Sequence, residues 1–122
     1  EASGILVTAL ATSALFGAVH LIGLFADIPW QIVTSQAVFA FGVGMMLAAV
    51  RLVSGSLVAP IVLHAVFDAT AIVAAGGVNE MFADTMTVMR LLIPGVVFAA
   101  WGLVNILVVI LMVSMRHSKA PN

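Results

Sequence analysis

Pro60-Ile61-Val62-Leu63-His64-Ala65-Val66-Phe67-Asp68 lies inside a long apolar run, yet it carries a histidine and an acid four residues apart. On a helix, positions i and i+4 share a face, so both polar groups point the same way. A charged side chain at the centre of a membrane helix costs roughly 2.5–3.5 kcal/mol on insertion scales. The reading of the whole chain turns on whether this stretch crosses a membrane.

Composition answers that. Of 122 residues, 64% are hydrophobic and 7% are charged, with a mean hydropathy of +1.30. A soluble domain carries about 25% charged residues, so a water-facing surface cannot be built from this chain. The fold class expected is all-α integral membrane. A net charge of −1 gives no electrostatic basis for binding nucleic acid. Without cysteine there are no disulfides, no thiolate metal sites and no cysteine nucleophile.

A helix needs about 20 apolar residues to cross the hydrocarbon. Four segments qualify, at about 4–24, 33–53, 57–75 and 91–115, and they predict a four-helix transmembrane bundle forming one domain over residues 1–122. Ala26 to Trp30 reads as a loop, with Pro29 barring helix continuation and Trp30 as an interfacial anchor. Ser54-Gly55-Ser56 reads as a tight turn, and Pro60 suits the first turn of the third helix. Gly76-Gly77 ends that helix. Val78 to Arg90 is the longest polar stretch, and its methionines and Phe82 suggest an amphipathic piece lying at the interface. Arg116-His117-Ser118-Lys119 reads as a stop-transfer flank.

Three stripes of small or polar residues predict close helix packing. They are Ala40, Gly44 and Ala48; Gly95, Ala99, Gly102 and Asn105; and Ser13, Gly17 and His20. With four spans, Arg51, Arg116 and Lys119 fall on one side and Arg90 on the other. The positive-inside rule then places both termini in the cytoplasm of a bacterial-type cell membrane.

The ionisable groups inside predicted spans are His20, His64 and Asp68. Such groups face the bundle interior and pair with one another. Read conservatively, His64 and Asp68 satisfy each other and His20 bonds a nearby carbonyl. Read chemically, two imidazoles and a carboxylate can bind a divalent metal, orient a water or stabilise an oxyanion. No glutamate falls within a span, so a general base for activating water is missing. Ser54 and Ser56 are turn residues rather than nucleophiles.

These residues resemble two motifs of the CPBP family of intramembrane metalloproteases, also called the Abi or CAAX-protease-like family, which includes bacteriocin-processing and self-immunity proteins. Phe16-Gly17-Ala18-Val19-His20 is similar to the F-x-x-x-H motif, and His64-Ala65-Val66-Phe67-Asp68 to the H-x-x-x-N/D motif. Arg51-Leu52-Val53-Ser54-Gly55-Ser56-Leu57 is similar to the family's run into the latter. The resemblance covers about Ala9 to Thr70. The upstream E-E-x-x-x-R motif has no counterpart, and the chain opens on Glu1 rather than methionine. The chain is therefore expected to be the C-terminal part of a larger domain, or else a member without peptidase activity.

The resemblance implies a glutamate-activated water attacking a peptide carbonyl in or near the membrane. His20 would help hold that water or a divalent metal such as zinc. His64 and Asp68 would face the oxyanion or complete the metal site. The implied partners are membrane lipid and a membrane-associated peptide, prenylated or bearing a leader. The alternatives are an inactive member acting in bacteriocin immunity or partner binding, and a haem anchor with His20 and His64 as axial ligands. A donor role requires a protonated Asp68, because an ionised one repels an oxyanion.

Helical rise poses a difficulty. His64 is expected roughly 7–12 Å into its span from the cytoplasmic side, and His20 roughly 24 Å into its own. A shared site needs tilt, a break near Gly17 or Gly23, or a shifted boundary.

Overall fold

A computed structural model describes residues 2–77 and 86–118. Helix α1 spans Ala2–Val19 and tightens into a 3-10 segment, His20–Phe25. Helices α2, Trp30–Ser54, α3, Val58–Ala75, and α4, Met86–Ser118, follow. No strand occurs among the described residues. The first span with its 3-10 extension, α2 and α4 are long and apolar enough to cross a membrane. At 18 residues α3 is the short helix, about 27 Å of rise against a hydrocarbon core of about 30 Å.

The connections follow their local chemistry. Pro29 precedes α2, where its fixed φ leads into the first turn. Gly55 ends α2 in the left-handed region at φ 67°, and its N–H donates to the Arg51 carbonyl at 3.0 Å. Ser54 Oγ accepts from the Ser56 N–H at 3.2 Å, and Ser56 Oγ accepts from the Val58 N–H at 3.1 Å. Both serines therefore serve the turn and the start of α3. Gly76, at φ 84°, closes α3 in the same way as Gly55 closes α2.

Helix α4 differs from its expected bounds of 91–115. It starts at Met86, so Met86 to Arg90 belong to the fourth helix and not to an interfacial piece. The rest of that expected piece, residues 78–85, lies outside the described residues. Pro94 lies within α4 and removes one intrahelical donor there.

Helix α2 is central, with α1, the 3-10 segment, α3 and α4 all packed on it. Ala9, Met45, Ala49 and Ile106 form the buried cluster where α1, α2 and α4 meet. The expected stripes carry this packing, and one further glycine joins them. Gly44 faces α1, and a Cβ there would lie 3.0 Å from Ser13 Cα. The α4 contact uses Gly42, outside any stripe read from the sequence. A Cβ on Gly42 would overlap the Gly95 carbonyl oxygen, and one on Gly102 would lie 2.6 Å from the Met45 carbonyl oxygen. Small residues at four-residue spacing mark one groove, whereas α2 has two, at different faces. Asn105 donates to the Trp101 carbonyl of its own helix at 2.8 Å.

The bundle's outer surface is apolar; Val7, Leu15, Ile22, Val53, Ile61, Val73, Val96, Trp101 and Leu111 are all exposed. This surface suits hydrocarbon and not water.

Gly42→Ala and Gly102→Ala are expected to destabilise the bundle by about 1–3 kcal/mol through forced helix separation. Gly4→Ala, where a Cβ meets nothing within 4 Å, is the control and is expected to leave the melting temperature in detergent unchanged. Equal melting temperatures for all three variants would contradict the close packing of α2 on α4.

Candidate active site

Helix α1 breaks at His20 itself. There α1 gives way to the 3-10 segment. A 3-10 turn holds three residues instead of 3.6, so each residue beyond His20 is re-aimed around the axis. The imidazole of His20 folds back onto the preceding turn. Its Nδ1 lies 2.8 Å from the Phe16 carbonyl oxygen. A carbonyl only accepts, so Nδ1 carries the proton in that bond, and in the neutral ring Nε2 keeps its lone pair free.

Phe16 links the two histidines. Its ring meets the His20 ring edge-on, with centroids 5.2 Å apart and planes at 71°. It meets the His64 ring at the same 5.2 Å and 78°. The imidazoles are therefore no more than two such steps apart. The expected mismatch in depth disappears in that contact, which sets Phe16, far along α1, against His64, near the start of α3. The two meet if α1 starts about 12 Å ahead of α3 along the bundle.

On α3, His64 Nε2 and Asp68 Oδ2 are 3.4 Å apart, the ion pair expected of i and i+4. That is longer than a charge-assisted hydrogen bond of about 2.7–2.9 Å. The described residues do not enclose Asp68, whose side chain is 54% exposed. His64 Nδ1 is buried without a hydrogen-bond partner. Leaving a buried polar atom unpaired costs about 1–3 kcal/mol, and that orphan is the site's open valence.

Phe67, beside Asp68, anchors this part of α3. It stacks on Phe39 of α2 at 5.8 Å and meets Phe98 of α4 edge-on at 6.0 Å. This aromatic triad and the Phe16–His64 contact tie α3 to all three other helices, although its close backbone packing is chiefly on α2. The sequence supplied Phe16 only as a motif letter. Its i−4 relation to His20 was the signal for its role.

The three residues do not fit a metal as they stand. Among the described residues no three His, Asp or Glu side chains gather as a ligand set. A haem held between the two histidines would have to displace Phe16 from its contacts with both.

The sequence model of type II CAAX prenyl endopeptidase Rce1-like proteins matches residues 1–70. The chain belongs to this family. No curated protein and no solved structure matches it. The matched span takes in α1, α2 and most of α3, and with them His20, His64 and Asp68. It marks the chain as a CAAX-protease-like integral membrane protein.

Nitrogen-15 spectra of histidine-labelled protein are expected to place a proton on Nδ1 of His20. An Nε2–H tautomer would contradict the bond to the Phe16 carbonyl.

Proposed function

We propose that the chain forms the electrophile-stabilising half of an intramembrane peptidase site, with His20, His64 and Asp68 as its working residues. The observation that carries this reading is the orphaned Nδ1 of His64 beside the His64–Asp68 pair. Consider that pair holding one shared proton between His64 Nε2 and Asp68, so that its net charge is zero. Its one shared proton lies on His64 Nε2, making an imidazolium facing a carboxylate, or on Asp68, which then donates to Nε2. In both forms Nδ1 carries a hydrogen. The pair thus presents one N–H donor that has no internal partner, whichever side holds the shared proton. A carbonyl oxygen gaining negative charge under attack would be that partner.

His20 complements it. With Nδ1–H committed to the Phe16 carbonyl, its Nε2 lone pair can accept a hydrogen bond from a water and hold it beside the carbonyl carbon. The described residues contain no glutamate, so the base implied by the family resemblance is not among them. No step is routed through a metal, because the donor set does not converge on one.

The substrate on this reading is a membrane-associated peptide, a prenylated one being the first to test because the matched family is described by that activity. Arg51, Arg116 and Lys119 would place both termini in the cytoplasm. The competing reading is a non-enzymatic member that binds a partner through the same fold. It would bind without hydrolysing.

Peptide hydrolysis by the purified protein in liposomes separates the two. His64→Ala is expected to lower kcat by about 10²–10³-fold, the usual effect of removing one oxyanion donor. Asp68→Asn keeps a donor to Nε2 and hence Nδ1–H, so it is expected to stay within about threefold of wild type, whereas Asp68→Ala falls well below it. Hydrolysis indifferent to His64 would sink its assignment as the oxyanion donor, and peptide binding without hydrolysis would favour the non-enzymatic reading.

A further inference from the structure

Trp30 stands at the start of a span, where an indole can sit at the membrane interface. Trp101 does not. The membrane-crossing part of α4 runs from Val88 to Met115, and Trp101 lies at its midpoint, 64% exposed on the outside of the bundle. Asn105 is one turn further on, about 6 Å along the axis. Both therefore lie well inside a hydrocarbon core of about 30 Å.

Their polar groups are only partly matched. The Trp101 indole N–H makes no hydrogen bond among the described residues. Asn105 commits one amide hydrogen to the Trp101 carbonyl at 2.8 Å. Its second amide hydrogen and its Oδ1 have no partner among the described residues. Lipid tails offer neither donor nor acceptor, so this level of α4 calls for a polar neighbour.

Neither residue serves the packing of α4 on α2. Gly102 and Ile106, each one residue later, do that: Gly102 lies against the Met45 backbone, and Ile106 is fully buried. One residue is about 100° of helical turn, so Trp101 and Asn105 form a second line turned that far from the packed one. Val108 and Met112, both exposed, continue it. Positions 101, 105, 108 and 112 are spaced four, three and four apart, the a/d alternation of a heptad seam. Phe98, the next position back, is taken by Phe39 and Phe67 and bounds the free seam at that end. A single asparagine within such a seam is the device that fixes register and the number of helices.

The chemistry of the carboxamide selects the occupant. It is donor and acceptor at once, and so complementary to itself. Two copies inserted the same way are related by a two-fold axis along the membrane normal, which sets each residue against its own counterpart at one depth. Asn105 of one copy then meets Asn105 of the other. An unrelated helix would need a matching group at that same level, and nothing in α4 specifies one.

We propose that this seam is the interface of a homodimer. Two α4 helices pack in parallel along Trp101, Asn105, Val108 and Met112. The Asn105 carboxamides hydrogen-bond to each other at the two-fold axis, and Trp101 shields them from lipid on one side. The interface uses none of His20, His64 and Asp68, so it stands apart from the peptidase reading.

The chain has no cysteine, so introduced thiols report against a silent background. The full protein is placed in liposomes at high lipid excess and oxidised. Val108→Cys is expected to form a disulfide-linked dimer. Leu103→Cys, exposed but about 200° round the helix from Asn105, is expected to stay monomeric. Energy transfer between separately labelled copies then measures association in lipid. Asn105→Ala is expected to weaken it by about tenfold, the usual scale of an amide bond between membrane helices. Asn105→Gln, which keeps the carboxamide, should retain most of it, with melting temperatures alike in all three. A monomeric wild type, equal cross-linking from 103 and 108, or association indifferent to Asn105→Ala overturns the proposal. Cross-linking from 108 to a different protein in native membranes, with the purified chain monomeric, overturns it as well by giving the seam to another partner. The cysteine pair keeps Asn105 intact, so its outcome stands even where an Asn105 variant fails to fold.

Discussion

The two contacts of the Phe16 ring, 5.2 Å to His20 and 5.2 Å to His64, are what the rest of the arrangement depends on. They join two helices that are not neighbours in sequence at the one level where both carry an imidazole. Everything that sets the height and approach of α1 against α2 and α3 acts through them. Gly17 contributes by letting α1 close on α2, since a Cβ there would lie 2.7 Å from the Ala37 carbonyl oxygen. Gly44 contributes by seating Ser13. The aromatic triad of Phe39, Phe67 and Phe98 holds α3 from the far side.

Placing polar groups in an apolar bundle is costly, and the structure disposes of that cost unevenly. His20 satisfies one nitrogen on its own helix. His64 and Asp68 satisfy each other across a long 3.4 Å gap. His64 Nδ1 and Ser13 Oγ are left unpaired although buried. In a membrane, where water cannot make up the deficit, unmatched donors and acceptors of this kind are natural places for a substrate to bind.

Much of this was legible from residues alone. Apolar runs gave the four helices, and Gly55, Gly76 and Pro29 gave their ends, because left-handed caps and helix-starting prolines depend on local chain chemistry. The pairing of His64 with Asp68 followed from spacing within one helix. The start of α4 at Met86 did not, because Met86 to Arg90 resembles an interfacial segment as much as a helix start. Gly42 escaped because its partner across α4 is a backbone carbonyl, and small-residue spacing on one helix does not say which face meets which neighbour. Relative helix height was also invisible. The depths expected for His20 and His64 assumed that all spans begin at one plane. The ring contacts of Phe16 bring the two histidines together at a level that the sequence does not specify.

The central claim is that His20 and His64 belong to one site. Cysteines introduced at positions 20 and 64 and treated with a bifunctional reagent about 10 Å long in intact membranes test it directly. Because Phe16 touches both rings, efficient cross-linking is predicted, with a control pair at positions 20 and 101 left unlinked. A folded double variant in which positions 20 and 64 stay unlinked would contradict the account.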